Sequence, residues 1–404
     1  MEIILYEDEA VSKLSPITLV RPAYDIRTGG FTLLEAIKHA FPKASVSSYT
    51  RKLVRDIAHV PEFVHNTQNT EGFLFLNARL APSLSALVEI SAIMKRTDED
   101  FTLVAEGGVA GFFCGALDRS ISDFDAHVRT CASSSVHHPI PTMIFNNPED
   151  VVFFNRDYLG DNLTLMTKKM RSKKRGFYIG KGVQLPKEYT LDTTHGPVVL
   201  GDHVVVHPYV VLRGPLFVGE SSIVKEFSVV SDSTIGPVCK VGGEVEDTIM
   251  DGYSNKQHAG GIANSYIGRW VNIGGGTYTA DLKNTYSHIS IDGRDSGAQF
   301  LGSIFGDYSK TSINTSIFPG RLIGMCAHLY GLVAEDVPSF TSHVRTGILF
   351  ELPVGLAEKG QKAMAMRRGA KFTEQDTARM VHVFDTTAKD REAAKVSKEK
   401  ISFY

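Results

Sequence analysis

Few side chains can move a proton near neutral pH, and histidine is the foremost of them. His258 closes the run Asn255-Lys256-Gln257-His258, and Asn272-Ile273-Gly274-Gly275-Gly276-Thr277 follows it. The plain reading of such a histidine is a surface or intersubunit residue with no catalytic role; the chemical reading is a general base. Lys240 stands 18 residues before His258. In a chain that repeats every 18 residues it lies directly below His258, where a cation holds phosphate and keeps the imidazole neutral. An ordinary wall lysine is the alternative. Arg21 and Arg27 form a second group, six apart, just before Gly29-Gly30 and a helix-like run. A helix N-terminus favours an anion, and arginine grips phosphate with paired donors. The same two arginines could equally tie a loop to its neighbours. Cys114, Cys131, Cys239 and Cys326 include no CxxC pair, so zinc and redox chemistry are not expected.

The elements that must position these residues show in the glycines, of which there are 36, concentrated after residue 178. They recur after an aliphatic residue, as in Leu200-Gly201, Val218-Gly219, Ile235-Gly236, Val241-Gly242 and Ile267-Gly268. The separations are 18 from Leu200 to Val218, 17 from there to Ile235, and 6 from Ile235 to Val241. Six and three times six are the periods of a hexapeptide left-handed parallel β-helix. The aliphatic residue points into the prism, and glycine permits the corner and any positive φ there. An antiparallel sandwich would explain short strands but not this period.

The chain divides accordingly. Residues 1–165 lack the repeat and read as an α/β domain: a strand at Ile3–Tyr6, a helix over 31–37, a buried strand at Phe73–Leu76. Residues 166–177 form a basic linker, 178–350 the solenoid, and 351–404 a helical tail with a capping signal at Thr373-Glu374-Gln375-Asp376.

This plan resembles the bifunctional N-acetylglucosamine-1-phosphate uridyltransferase/glucosamine-1-phosphate acetyltransferase, and more closely a divergent, GlmU-like branch of sugar-1-phosphate nucleotidyltransferases. The resemblance rests on residues 14–35, 213–230, 235–277 and 306–320, the third stretch being the most specific. It implies that His258 is the base of an acetyl transfer from acetyl-CoA to an amino-sugar phosphate. It further implies that Asn272 and Lys283 bind substrate and that Gly274, Gly275, Gly276 and Asn314 hold the acyl donor. The family's sugar-phosphate lysine would fall near Glu246 or Asp247, so Lys240, Lys256 or Arg213 would have to take over. A homotrimer with its cleft between neighbouring subunits also follows from the resemblance.

In the first domain the likeness is thinner. The family's glycine loop, which cradles a triphosphate, corresponds to 6–14, with no glycine and three acids. Arg21 and Arg27 are the substitute phosphate ligands. The family's Mg²⁺ site falls on Asn77 and, loosely, Asn155, and a neutral amide binds the ion more weakly than a carboxylate.

Composition narrows the classes. With 43 basic and 45 acidic residues the net charge is −2, and 43% of residues are hydrophobic. That is a globular chain without a broad nucleic-acid footprint. No apolar run reaches the roughly 20 residues that span a bilayer, and the first residues lack a signal peptide's basic start, so cytoplasm is the expected location. Three readings remain: an enzyme of nucleotide-sugar metabolism with both transfer activities, an acyltransferase whose first domain binds ligand or supports assembly, and a non-catalytic scaffold.

Overall fold

The computed structural model describes residues 1–63, 72–97, 99–115, 136–168 and 170–399. Cys131 and Lys169 of the basic linker lie outside them. The first domain is a six-stranded mixed sheet in the order β2-β1-β3-β5-β4-β6, built from β1 (Glu2–Tyr6), β2 (Ser45–Tyr49), β3 (Phe73–Asn77), β4 (Phe101–Glu106), β5 (Gly108–Cys114) and β6 (Val136–Met143). β1 runs parallel to β2 and β3, and β5 antiparallel to β3 and β4. The helices α1 (Leu33–Ala40), α2 (Leu84–Arg96) and α3 (Asp150–Thr167) cover it. α1 begins at a capping box, in which Thr32 accepts from the Glu35 N–H and Glu35 accepts from the Thr32 N–H.

From Phe177 the chain winds into a left-handed β-helix with three parallel faces. The first face runs from Phe177–Ile179 to Leu322–Ile323 and the third from Tyr189–Asp192 to Leu332–Val333. The second face is two strand groups joined through Asn272, which bridges Asn255 on one side and Lys310 on the other. It ends on an antiparallel hairpin, Thr341–Arg345 with Ile348–Glu351, which closes the open sheet edge. The aliphatic residues before glycine, among them Leu200, Val218, Ile235 and Ile267, are fully buried in the prism.

The glycines do a different job from the one expected. Gly201, Gly219, Gly236 and Gly268 are absent from the positive-φ positions; the residue two places on takes that conformation, as at His203, Ser221, Val238 and Trp270. What excludes a side chain is the next coil: a Cβ at Gly236 would overlap the carbonyl of Asp251. Neighbouring backbones approach too closely there for any other residue.

The coils are also unequal. Val198 pairs with Leu216, an offset of 18, whereas Lys240 pairs with Asn255, an offset of 15. Lys240 therefore lies under Asn255 and not under His258. Between Tyr266 and its partner Ile304 the offset is 38, because that coil carries an inserted loop with a small hairpin, Ser290–Ile291 with Arg294–Asp295.

The first domain packs on the first face. Ile249, Tyr266 and Ile304 of the solenoid share one apolar core with Ile17, Tyr24 and Leu33. The tail forms α4 (Val354–Arg367), α5 (Glu374–Thr386) and α6 (Ala388–Ala393). Thr373 and Asp376 make the second capping box, and Met380 and Val383 are buried against Phe340 and Val20. Among the described residues no helix is long and apolar enough to cross a membrane.

Arg21 belongs to the junction rather than to a phosphate site. Its guanidinium is 1% exposed and pairs with Asp251 and Asp307 of the solenoid. Arg269 completes the network, 2.7 Å from Asp25 and 3.1 Å from Asp251. Burial works to raise the Asp251 carboxyl, but Arg21 and Arg269 outweigh it and hold it below the usual carboxylate range. Arg21→Ala leaves two buried acids short of a partner. It should destabilise the protein by about 3–5 kcal/mol, read as a lower denaturation midpoint. A variant as stable as wild type would mean that the network does not hold the halves together.

Candidate functional site

The largest collection of expected site residues lies on the second face. A cleft of about 500 Å³ is lined by Lys240, His258, Asn272, Gly274, Gly275 and Lys310, with α4 as the opposite wall. Strand pairing explains the assembly. Lys240, Asn255, Asn272, Lys310 and His328 occupy one outward column, each paired with the next. At about 4.8 Å per strand, the two lysines stand roughly 14 Å apart and frame the two asparagines. Asn255 donates to Asn272 at 3.3 Å, while the Asn255 Oδ1 is buried without a partner.

His258 sits exposed at the corner between the second and third faces. A Cβ on Gly275 would come 3.3 Å from the His258 Cβ, so glycine there leaves room for the imidazole. Gln257 Nε2 is 3.5 Å from His258 Nε2, a weak contact. The N–H of Gly274 donates to Thr311 Oγ1 at 2.8 Å and that of Gly276 to the Ala259 carbonyl at 2.8 Å. Among the described residues no hydrogen bond claims the Gly275 N–H, the one backbone N–H of residues 272–277 without a partner, and Gly275 lines the cleft. Asn314 donates its N–H to the Gly275 carbonyl, and its side chain packs where a Cβ on Gly276 would stand.

Three cations here were not anticipated. Lys310 belongs to the same column, and Arg367 and Arg368 come from the end of α4. Lys310 could be found only by counting across the 38-residue coil, and the arginines only by knowing where the tail folds. The lining contains no Asp or Glu. Four permanent or near-permanent cations around one cleft make an anion site. Burial lowers the Lys310 pKa, and burial with Lys310 beside it pushes His328 down to about 4.

Other expectations move elsewhere. Lys256 faces into the prism, 1% exposed, its Nζ spent on three backbone carbonyls, so it cannot meet a phosphate. Arg213 is exposed on the third face, away from the cleft, and Lys283 donates to the His288 carbonyl within the inserted loop. Arg27 is buried, paired with Glu35 at 2.5 Å and donating to the Gly30 carbonyl, so it, like Arg21, serves the fold.

The two asparagines of the metal reading also have partners within the protein. Asn77 donates to Asp8 and accepts from the Arg79 N–H. Asn155 accepts from the Gly29 N–H and the Thr234 hydroxyl and donates to the Asp232 carbonyl, clamping the first domain to the solenoid. Each amide oxygen already accepts within the fold, and the described residues contain no group of three or more His, Cys, Asp or Glu that could hold a metal ion.

Residues 3–171 match the family model described as sugar nucleotidyl transferase. The bifunctional protein GlmU of Synechococcus elongatus is 24% identical over 241 residues, 50% of this chain and 49% of that protein. A bifunctional sugar-1-phosphate nucleotidylyltransferase/acetyltransferase of Sulfurisphaera tokodaii is 30% identical over 128 residues, 30% of each chain. The chain fits a divergent GlmU-like family. It spans about half the length of the curated relatives it matches, or less. A UDP-N-acetylglucosamine acyltransferase from Campylobacter jejuni superposes at a TM-score of 0.26, with 13% identity, over 56% of this chain and 91% of that one; so loose a likeness says nothing of the reaction.

The GlmU-like first domain has its own cavity, about 730 Å³, at the carboxyl ends of β1 and β2, beside Glu7, Asp8, Arg51, Lys52 and Arg55. Such a crevice is where open α/β sheets bind ligands. Here Glu7 is committed to Arg51 at 3.0 Å and Asp8 to Arg79 at 2.7 Å. The acids that replace a glycine loop thus have cationic partners of their own.

His328, the neighbour of Lys310 in the outward column, carries a pH signature. In the unfolded chain a histidine titrates near 6.5, but in the fold His328 stays neutral until about pH 4. Between those values the unfolded state binds the extra proton, so stability falls as pH drops through that window. The loss expected is a few kcal/mol at most. His328→Gln should flatten part of the slope, compared with wild type in denaturation series from pH 7 to 4; parallel slopes would refute the assignment.

Proposed function

We propose that this protein is a transferase of nucleotide-sugar metabolism whose second-face cleft transfers an acyl group from a CoA-type thioester to the amine of a phosphorylated or nucleotide-linked amino sugar. The observation that carries this is the meeting of an exposed histidine, an unclaimed backbone N–H and four cations in one carboxylate-free cleft. Lys240, Lys310, Arg367 and Arg368 supply the charge that phosphate-bearing donor and acceptor require. Asn255 Oδ1, buried and unpaired, offers the acceptor amine a hydrogen-bond partner. As the amine nitrogen attacks the thioester carbon, His258 takes its proton. The Gly275 N–H and the Asn272 amide supply donors to the developing oxyanion. The C–S bond then breaks, and the proton on His258 passes to the leaving thiolate.

A homotrimer with an intracellular, cytoplasmic site of action is part of the same proposal. Tyr278, Phe318 and Leu332 stand exposed along the third face, 56%, 48% and 48% respectively, which supports self-association there. Sedimentation of the whole chain reads this directly.

A second activity, nucleotidyl transfer in the first domain, is favoured by the family match and by the cavity beside Arg51, Lys52 and Arg55. The committed amides of Asn77 and Asn155 and the acidic loop favour ligand binding over metal-assisted turnover. Calorimetry should therefore show nucleotide or sugar phosphate binding with little dependence on Mg²⁺. Rapid Mg²⁺-dependent turnover would overturn that division of labour.

For the acyl transfer, His258→Ala should lower the rate by about 10²–10⁴, the usual worth of a positioned base, and leave acyl-CoA binding intact by calorimetry. Full activity in that variant, or no transfer by wild type to any of a broad panel of amino-sugar phosphates and nucleotides, would sink the proposal.

A further inference from the structure

The coil beneath His258 is shortened at one corner. From Val224 to Val229 and from Lys256 to Gly261 the chain turns from second to third face in five residues; from Val241 to Glu244 it does so in three. Gly242 and Gly243 make that tight corner, Gly243 at a φ of +69°. The corner above, which carries His258, therefore projects beyond its support. A Cβ at Gly243 would lie 2.5 Å from the Gly260 carbonyl and 2.8 Å from Lys256 Nζ, so nothing larger than glycine fits underneath.

Lys256 spans that step from inside. Its place in the inward column is taken in other coils by Val206, Val224, Val241 and Leu329, and by the smaller or shorter polar side chains of Thr311 and His343. The side chain crosses the prism interior and its ammonium donates to the Gly242 carbonyl at 2.6 Å below, and to the Gly260 carbonyl at 2.8 Å and the His258 carbonyl at 3.2 Å above. Three donors meet three acceptors that the shortened corner leaves over. A charged group in an apolar prism is costly unless every donor is used, so a residue that only filled space would more cheaply be aliphatic.

We propose that Lys256 is a positioning residue: it fixes the peptide that carries His258, from within the prism, and so sets where the imidazole stands over Gly275. This rests on the reading of the cleft as an acyl-transfer site only for its kinetic consequence; the geometric claim stands apart from it. Lys256 itself never reaches the cleft. Burial lowers its pKa to about 8, opposed by Glu244, the charged side chain that acts on it. Raising the pH through that value leaves the ammonium one donor short for its three carbonyls.

The test follows the His258 ring by its ¹³C-labelled NMR resonance in the whole protein, with His207 and His328 as controls. In wild type the His258 resonance should be single, and should shift or broaden between pH 7.5 and 9 in step with the Lys256 ammonium. Lys256→Met should shift or split it at pH 7 while the control resonances stay put. It should lower kcat about 10- to 100-fold with the KM for the acyl donor unchanged, whereas Lys256→Gln, which keeps an amide donor, should recover part of that loss. If Lys256→Met does not fold, the wild-type pH titration and Lys256→Gln carry the test. A His258 resonance unmoved by pH and by either substitution overturns the proposal. An absence of acyl transfer with the NMR shifts present would instead overturn only the functional reading of the cleft.

Discussion

Everything in the solenoid depends on the pairing of one coil with the next. Parallel strands about 4.8 Å apart leave no room for side chains at the corners where backbones meet, which is why Gly201, Gly219, Gly236 and Gly268 recur. The same pairing decides which residues share a column. Lys240, Asn255, Asn272 and Lys310 are separated by 15, 17 and 38 residues in sequence and yet stand on successive rungs. Corner length is therefore the variable that places chemistry: residues lost at Gly242-Gly243 shift the column and leave His258 on a ledge, and residues gained before Ile304 are expelled as a loop without disturbing it.

The second organising fact is buried charge at the junction. Arg21, Asp251, Asp307, Arg269 and Asp25 form a network that no single segment satisfies. An unpaired member would carry a heavy desolvation cost, so the first domain cannot leave the first face without stranding it. The two parts also share an apolar core, and the tail ties into both: Arg379 pairs with Asp56 of the first domain while Met380 packs on the end of the solenoid. Asp307 opens the segment that leads to Lys310, and Arg269 the one that leads to Asn272, so the charge network and the cleft are carried by the same two coils.

How much of this could be read from the residues varies with the range of the interaction. Local signals were legible: the aliphatic-glycine period, the capping signal at Thr373, the buried strand at Phe73. The sequence grouped His258, Asn272, Gly274 and Gly275 only through the family resemblance, and the fold brings them to one cleft because the solenoid makes neighbours of residues about one coil apart. A strict 18-residue count misplaced Lys240 by three residues, since coil length is set by corners whose shortening is visible only in the pairing. Arg21, Arg27, Asn77 and Asn155 were misread as ligand-binding groups for a common reason. In the sequence a polar residue looks the same whether its partner is a ligand or a group in a distant segment, as with the carboxylate 230 residues from Arg21. Lys256 is the sharpest case: a lysine in a strand column gives no hint that it turns inward until the three carbonyls awaiting it are known.

The net charge of −2 conceals two opposite surfaces. The first domain presents Glu7 and Asp8 at the carboxyl end of β1, already partnered by Arg51 and Arg79, with Glu9 beside them, whereas the second-face cleft gathers cations with no acid among its lining residues. An anionic ligand entering the first must compete with built-in carboxylates for Arg51; one entering the second meets no carboxylate among the lining residues. The cleft's wall is also completed last in chain order, by Arg367 and Arg368 after the whole solenoid. Arg368 donates to the Val238 carbonyl at 3.0 Å, anchoring that wall to the coil that supplies Lys240. This gathering of cations is thus a product of the tail folding back on the helix, and its charge lies beside His258, the group best suited among the lining side chains to accept a proton.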